Sequence, residues 1–182
     1  MRVLRWASED LSRRVDEALD VYCRAMNYSA ETAEARKGYV IVHTRRPGFR
    51  AVAAEHEDGR LLGFGYGYTG SSGQWWHDEV RRGLPRKQAD RWLSDSFELC
   101  ELHVLPGEQG KGLGRRMLTL LLDGCPHSTV VLSTPEGETL AWHLYRTMGF
   151  SDVRRHHRFP GDDRDFAVLG RELPLEPAVP VG

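Results

Sequence analysis

Cysteine is scarce and unpatterned: Cys23, Cys100 and Cys125 are the three among 182 residues. No two form a C-x-x-C pair, and an odd count cannot close entirely into internal disulfides. A disulfide scaffold is excluded, and reduced thiols in a cytoplasmic protein are the expectation. Long apolar runs are missing too. The densest, Met117 to Leu122, falls far short of the ~20 residues a spanning helix needs. Charges interrupt every apolar run in the first ten residues, so no signal peptide is read there. Charge of one sign is also lacking: 25 Lys and Arg face 26 Asp and Glu, for a net charge of -1. A wholly basic nucleic-acid-binding domain is therefore not expected. No repeat recurs at a fixed period.

What is present is a globular composition, 40% hydrophobic and 28% charged, with five Trp. The length suits one domain with a full core. Residues 2–6 predict a strand. Ser8 is expected to cap a helix that carries Leu11, Val15, Ala18, Leu19, Tyr22 and Met26 at helical spacing. Residues 30–46 read as helix at first and as β-branched strand later, and Pro47-Gly48 ends either. Residues 49–56 and 60–69 predict a hairpin across Asp58-Gly59. In its return strand Gly63, Gly65 and Gly67 alternate with Phe64, Tyr66 and Tyr68, leaving one face bare for close approach of a helix or ligand. Residues 70–96 have the character of a helical insertion. A strand over 97–105, a helix over 113–122, a strand over 129–133, a helix over 136–148 closed by Gly149, and a strand over 166–170 follow. The domain is expected to span 1–173, with a flexible Pro-rich tail over 174–182. His156-His157 and the arginines around them are expected to form a solvated basic loop.

One segment carries chemistry. From Val104 a strand runs into a loop with glycines at 107, 110, 112 and 114, and then into a helix. Amides at a helix start have no intrahelical partner, the helix dipole adds positive charge, and absent side chains let an oxyanion approach. Lys111, Arg115 and Arg116 add positive charge. This is an anion site, most simply for a pyrophosphate. It lacks the Gly-Lys-Ser/Thr of a Walker loop and the third glycine of a dinucleotide fingerprint. A plain turn before a helix is the alternative reading of the glycines alone.

The segment Gln109-Gly-Lys-Gly112-Leu-Gly114 resembles Gln/Arg-x-x-Gly-x-Gly/Ala, the acetyl-CoA pyrophosphate motif of the GNAT superfamily of N-acetyltransferases. Further on, Ala141-Trp-His-Leu-Tyr145-Arg-Thr-Met-Gly149-Phe150 resembles that family's Ala-x-x-Leu-Tyr-x-x-x-Gly-Phe signature. The resemblance covers residues 2–170 apart from the insertion. It implies an α/β (α+β) GNAT fold, a mixed, mainly antiparallel sheet flanked by helices, with the helical insertion before the fourth strand. It implies acetyl-CoA as cosubstrate, without a metal, and direct acetyl transfer to a primary amine of a small molecule or peptide. Leu102, His103 and Val104 would lie along pantetheine. Gln109, Gly110, Lys111, Gly112, Leu113, Gly114 and Arg115 would hold the pyrophosphate. Tyr145 would protonate the leaving thiolate. Glu138 stands where the family often has Asn.

An ammonium must lose a proton before it can attack. Glu98 and Glu101 lie three apart on the strand and face opposite sides if it is regular. Glu101 is the candidate base, with His103 on its face as a second choice. The insertion is placed to meet the acceptor, with Trp75, Trp76 and Asp78 as candidate contacts for a cationic amine; packing of these Trp residues onto the domain is the competing reading. No nucleic-acid or membrane partner is expected, and a homodimer is compatible with the sequence. A non-catalytic acyl-CoA sensor on the same fold is the alternative function, and another kind of nucleotide-binding domain a weaker third.

Overall fold

The computed structural model describes residues 1–175. Seven strands form one sheet in the order β1-β2-β3-β4-β5-β7-β6: β1 Arg2–Trp6, β2 Arg50–Glu55, β3 Leu61–Thr69, β4 Ser96–Val104, β5 Thr129–Pro135, β6 Ser151–His157 and β7 Phe166–Glu172. Every neighbouring pair is antiparallel except β4 and β5. The helices are α1 Ser8–Arg13, α2 Val15–Met26, α3 Ala30–His43, α4 Trp75–Arg82, α5 Arg86–Leu93, α6 Leu113–Leu122 and α7 Leu140–Thr147. Among the described residues no helix is long and apolar enough to cross a membrane. Of the expected tail, residues 176–182 lie outside the described residues, while Leu175 packs against the core.

Several local expectations are corrected. Ala7, not Ser8, is the cap of α1, because Asp10 reaches back to accept from the Ala7 amide at 2.9 Å and the Ser8 hydroxyl turns to Glu9. The single helix expected from Ser8 to Met26 is interrupted at Arg14, whose guanidinium joins Glu17 and the buried Glu55. Residues 30–43 are helical throughout; the Val-Ile-Val stretch lies on a helix whose buried residue is Val40. The helix expected from Glu136 starts only at Leu140, because Gly137 takes φ +140° and Thr139 caps the helix by accepting from the Trp142 amide. Arg154, Arg155, His156 and His157 belong to an edge strand, β6, rather than a loop. Its charge-rich sequence hides the strand because it pairs on one side only.

Register sorts the side chains onto two faces, since directly paired residues point the same way. Tyr66 pairs with Glu101, Tyr68 with Glu98, and Glu98 with Val131. On this face Tyr22 of α2 touches His103, and Arg36 and His43 of α3 reach Glu101 and Tyr66. Its other half, over β5 and β7, is covered by the insertion: Val80, Ala89, Trp92 and Leu93 of α4 and α5 form a second small core with Val131, Val168 and Phe159. The bare glycine side of β3 accepts α6, and a Cβ on Gly63 would sit 3.0 Å from Met117 Cε. At Gly67 the approach is of strands: a Cβ there would lie 2.2 Å from the Glu98 carbonyl oxygen.

That crowding accompanies a bulge. Tyr66 opposes Glu101 but Gly67 opposes Leu99, so Cys100 is an extra residue in β4. Glu98 and Glu101 therefore share one face, contrary to the alternation expected of a regular strand.

Candidate active site

The strands β4 and β5 pair only from Ser96–Thr129 to Glu98–Val131 and then part. The rest of β4 thus leaves a backbone edge toward β5 without ladder partners. A cleft of about 470 Å³ opens there, lined by Leu102, His103 and Val104 on one strand, Thr134 and Pro135 on the other, the loop 108–115, and Leu144 and Tyr145 of α7. Apart from Lys111, whose ammonium pairs with Glu108 at 3.0 Å, every residue expected to hold a CoA chain lines this cleft.

The loop has the form an anion needs. Gly112 sits at φ +79° as the cap of α6, a conformation that strains any residue with a side chain. Space is open where its Cβ would be. Arg116 donates the first bond of the helix, to the Gly112 carbonyl at 3.1 Å, so the amides of Leu113, Gly114 and Arg115 have no partner within it. Gln109 fixes the loop to the strand, its side-chain amide donating to the Val104 carbonyl at 2.9 Å. Gly114 serves α7 as much as an anion, since a Cβ there would meet Leu144 at 3.1 Å.

Tyr145 is buried at the cleft wall. Burial, aided by the charge of Glu101, raises its phenol pKa, so it stays protonated at neutral pH. Glu101 is enclosed by Arg36 and by His103 Nε2 at 2.6 Å. Burial alone would raise its pKa, but the His103 hydrogen bond and the Arg36 charge outweigh it and hold the carboxyl below its usual value. Arg36 and His103 thus hold Glu101, the candidate base, as an anion; His103 is engaged in the same cluster.

Glu98 has the opposite character. It is 3% exposed and stands at the last paired position before the strands part. Its Oε1 accepts from the Tyr68 hydroxyl at 3.2 Å, while Oε2 has no partner among the described residues. Burial pushes its pKa up to about 7, against the smaller opposing effects of Tyr68 and Arg46. The sequence signal was available, a carboxylate between Phe97 and Leu99 on a strand, but the bulge that turns it to the face of Glu101 was not.

The insertion is divided. Trp76 packs against the second core and donates Nε1–H to Ser133 Oγ at 2.9 Å, so it is a structural residue. Both oxygens of Asp78 accept from the Gly73 amide, at 3.0 and 3.2 Å. Trp75 alone of the three stays open, 57% exposed and tilted against Phe159. Glu138 is exposed ahead of α7 and does not line the cleft.

The model of the acetyltransferase (GNAT) family matches residues 15–150. The chain belongs to the GNAT family of acetyltransferases. It is 42% identical over 195 residues to the GCN5-like protein acetyltransferase Rv2170 of Mycobacterium tuberculosis, covering 91% of this chain and 95% of that one. It is 39% identical over 70 residues to the N-alpha-acetyltransferase RimI of the same organism, covering 37% of this chain and 44% of that one. Among solved structures it resembles the Salmonella typhimurium protein yncA, solved with acetyl-CoA, at 17% identity and TM-score 0.62, covering 100% and 99% of the two chains. The ribosomal-protein-S18-alanine N-acetyltransferase of Escherichia coli aligns at 17% identity and TM-score 0.58, over 94% and 92%. These likenesses establish a GNAT fold and a transferase of acetyl groups.

Proposed function

We propose that this GNAT enzyme transfers acetyl from acetyl-CoA directly to a primary amine of a peptide or small molecule. The observation that carries the reading is the wedge between β4 and β5, with unpartnered amides at its mouth, Tyr145 on its wall and a neutralisable carboxyl, Glu98, at its apex. The residues present suit CoA: the amides of 113–115 and the open space at Gly112 accept a pyrophosphate, and the unpaired edge at 102–104 accepts the pantetheine amides as a neighbouring strand would.

In this reading the amine arrives as an ammonium, with an ordinary pKa of ~10.4 if lysine-like. Glu98 takes its proton, directly or through one water, as a carboxylate near pKa 7 is suited to do. The freed lone pair attacks the thioester carbon. An amide on the open edge of β4 stabilises the developing oxyanion. The new N–C bond forms, the C–S bond breaks, and Tyr145 returns a proton to the departing thiolate. No acyl-enzyme is needed, and Cys100, whose thiol pKa is raised by burial, is not a nucleophile. The two M. tuberculosis relatives, by name a protein acetyltransferase and an Nα-acetyltransferase, support a nitrogen acceptor.

The test is release of free thiol from acetyl-CoA across a panel of amines, with Tyr145→Phe as control. Turnover that falls in Tyr145→Phe while CoA affinity holds supports the reading. A chain that binds CoA but releases no thiol with any amine is the acyl-CoA sensor instead.

A further inference from the structure

Helix α3 turns an unpartnered stripe to solvent. Its inner side is committed: Val40 is buried, Arg36 reaches Glu101, His43 reaches Tyr66, and Lys37 pairs with Asp16 of α2 at 2.6 Å. Successive residues turn by about 100° on a helix, so Glu31, Ala35, Val42 and Arg45 fall within about 60° of Gly38, on the side opposite Val40. All five are exposed, as is Tyr39 beside them; Tyr39 and Val42 are 69% and 56% exposed. No residue of α3 lines the cleft.

Two features of this stripe have no use within the chain. The first is Gly38. Glycine weakens a helix interior, yet nothing lies within 4 Å of where a Cβ on Gly38 would sit. The fold has room for a side chain there, and its absence suits a second helix that crosses closely at that point. The second feature is charge. Glu31 stands seven residues before Gly38 and Arg45 seven after, each two turns and about 10 Å away along the axis. Arg45 follows the last turn of α3 directly, its amide donating to the Val42 carbonyl at 3.2 Å. The ion pairs of α3 are those of Arg36 and Lys37; Glu31, Glu34 and Arg45 enter none among the described residues. Glu31 accepts from the Ser29 hydroxyl at 3.3 Å. Acidic at one end, basic at the other and small or apolar between, the stripe is complementary to itself when turned end for end.

We propose that this face pairs two copies of the chain: α3 packs antiparallel on α3 of a second copy, with the two-fold axis at Gly38 and each Glu31 facing the partner's Arg45. Such a face is isologous. One helix pair lies at the small end of specific interfaces, so a dissociation constant of about 1–100 µM is expected. The test is sedimentation velocity on the full chain from about 1 to 500 µM, at about 50 mM salt so that surface charges are weakly screened. The wild type is expected to pass from monomer to dimer over that range. Gly38→Gln introduces a better helix former, so it should raise the thermal midpoint of the dilute chain by about 2–4 °C. The same variant is expected to weaken the dimer at least about tenfold, and Tyr39→Ser to do likewise. Glu31→Arg and Arg45→Glu each set like charges against one another and should be monomeric across the range. The double variant Glu31→Arg with Arg45→Glu restores opposite charges at the same net charge and should dimerise again. CoA calorimetry checks that each variant is folded, and Val42→Ser replaces Gly38→Gln or Tyr39→Ser if either is not. A wild type that stays monomeric at every concentration, a dimer of unchanged strength in Gly38→Gln and Tyr39→Ser, or a double variant no stronger than the two single ones overturns the proposal.

Discussion

The two sides of the wedge are built from different materials. The side proposed for CoA is made of backbone: amides at the start of α6, an unpaired edge of β4, and a glycine held at positive φ. The side proposed for the acceptor is made of side chains that meet from distant stretches of sequence: Glu98 with Tyr68, Glu101 with Arg36, and Trp75 with Phe159. Backbone recognition tolerates any side chain that does not intrude and depends on few residues in one short segment. Side-chain recognition changes with each substitution. One fold can therefore keep a common donor while its acceptors diverge.

Four measurements can break or sharpen that contrast. The largest effect is expected at Glu98. Glu98→Gln keeps the volume and the Tyr68 contact but cannot take a proton, so the rate should fall about 10²–10⁴-fold with CoA affinity unchanged. By contrast, Glu101→Gln should act chiefly on stability, because Arg36 and His103 lose a buried anion. A loss of rate confined to Glu101→Gln would reverse the two roles.

Next is the insertion. Trp92 is 5% exposed over Val131 and Val168, and Trp92→Ala is expected to cost about 3–5 kcal/mol in denaturant unfolding. For that reason excising 74–92 would strip a core rather than trim a lid; a stable excised chain would show the insertion to be an accessory.

On the CoA side, Gly112→Val sets a branched residue at φ +79° in the space open to an anion. Calorimetry should show CoA affinity reduced at least about tenfold in a chain that stays folded. Unchanged affinity would remove the backbone-cradle argument.

The smallest effect is a pH slope. Glu98 binds its proton more tightly folded, near 7, than unfolded, near its ordinary 4.5. The folded state then holds more protons between those values, so this group's contribution to stability is greatest below the unfolded pKa and is lost as pH rises toward 7 and above. The loss is up to about 3 kcal/mol, and Glu98→Gln should flatten it in unfolding curves taken from pH 4.5 to 8. The base role has the opposite sign: turnover should rise with pH through about 7.

How much could be read beforehand follows the same division. The loop 109–114 and the helix after it were legible because each is specified by a few adjacent residues whose spacing is a local property of the backbone, and Tyr145 was legible through the resemblance of residues 141–150 to the second GNAT signature. The hairpin at Asp58-Gly59 was legible for the same reason, and Gly59 does take φ +87°. The strand at 151–157 was hidden because an edge strand carries charges outward. The placement of Glu98 depended on one surplus residue, Cys100, which alternation along the chain cannot reveal.

By itself the sequence pointed to the anion-binding loop, because that rests on short-range backbone geometry that glycine and helix-start residues impose wherever they occur, and its resemblance to the two GNAT signatures implied the class of fold and the acetyl donor. Only the tertiary structure decided how the surroundings of the two carboxylates differ. Glu98 and Glu101 are the same residue type on the same strand. Burial without an ionic partner raises one pKa, and burial beside Arg36 and His103 lowers the other. That difference is set by residues more than sixty positions away in the case of Arg36, brought near by the packing of α3 on the sheet.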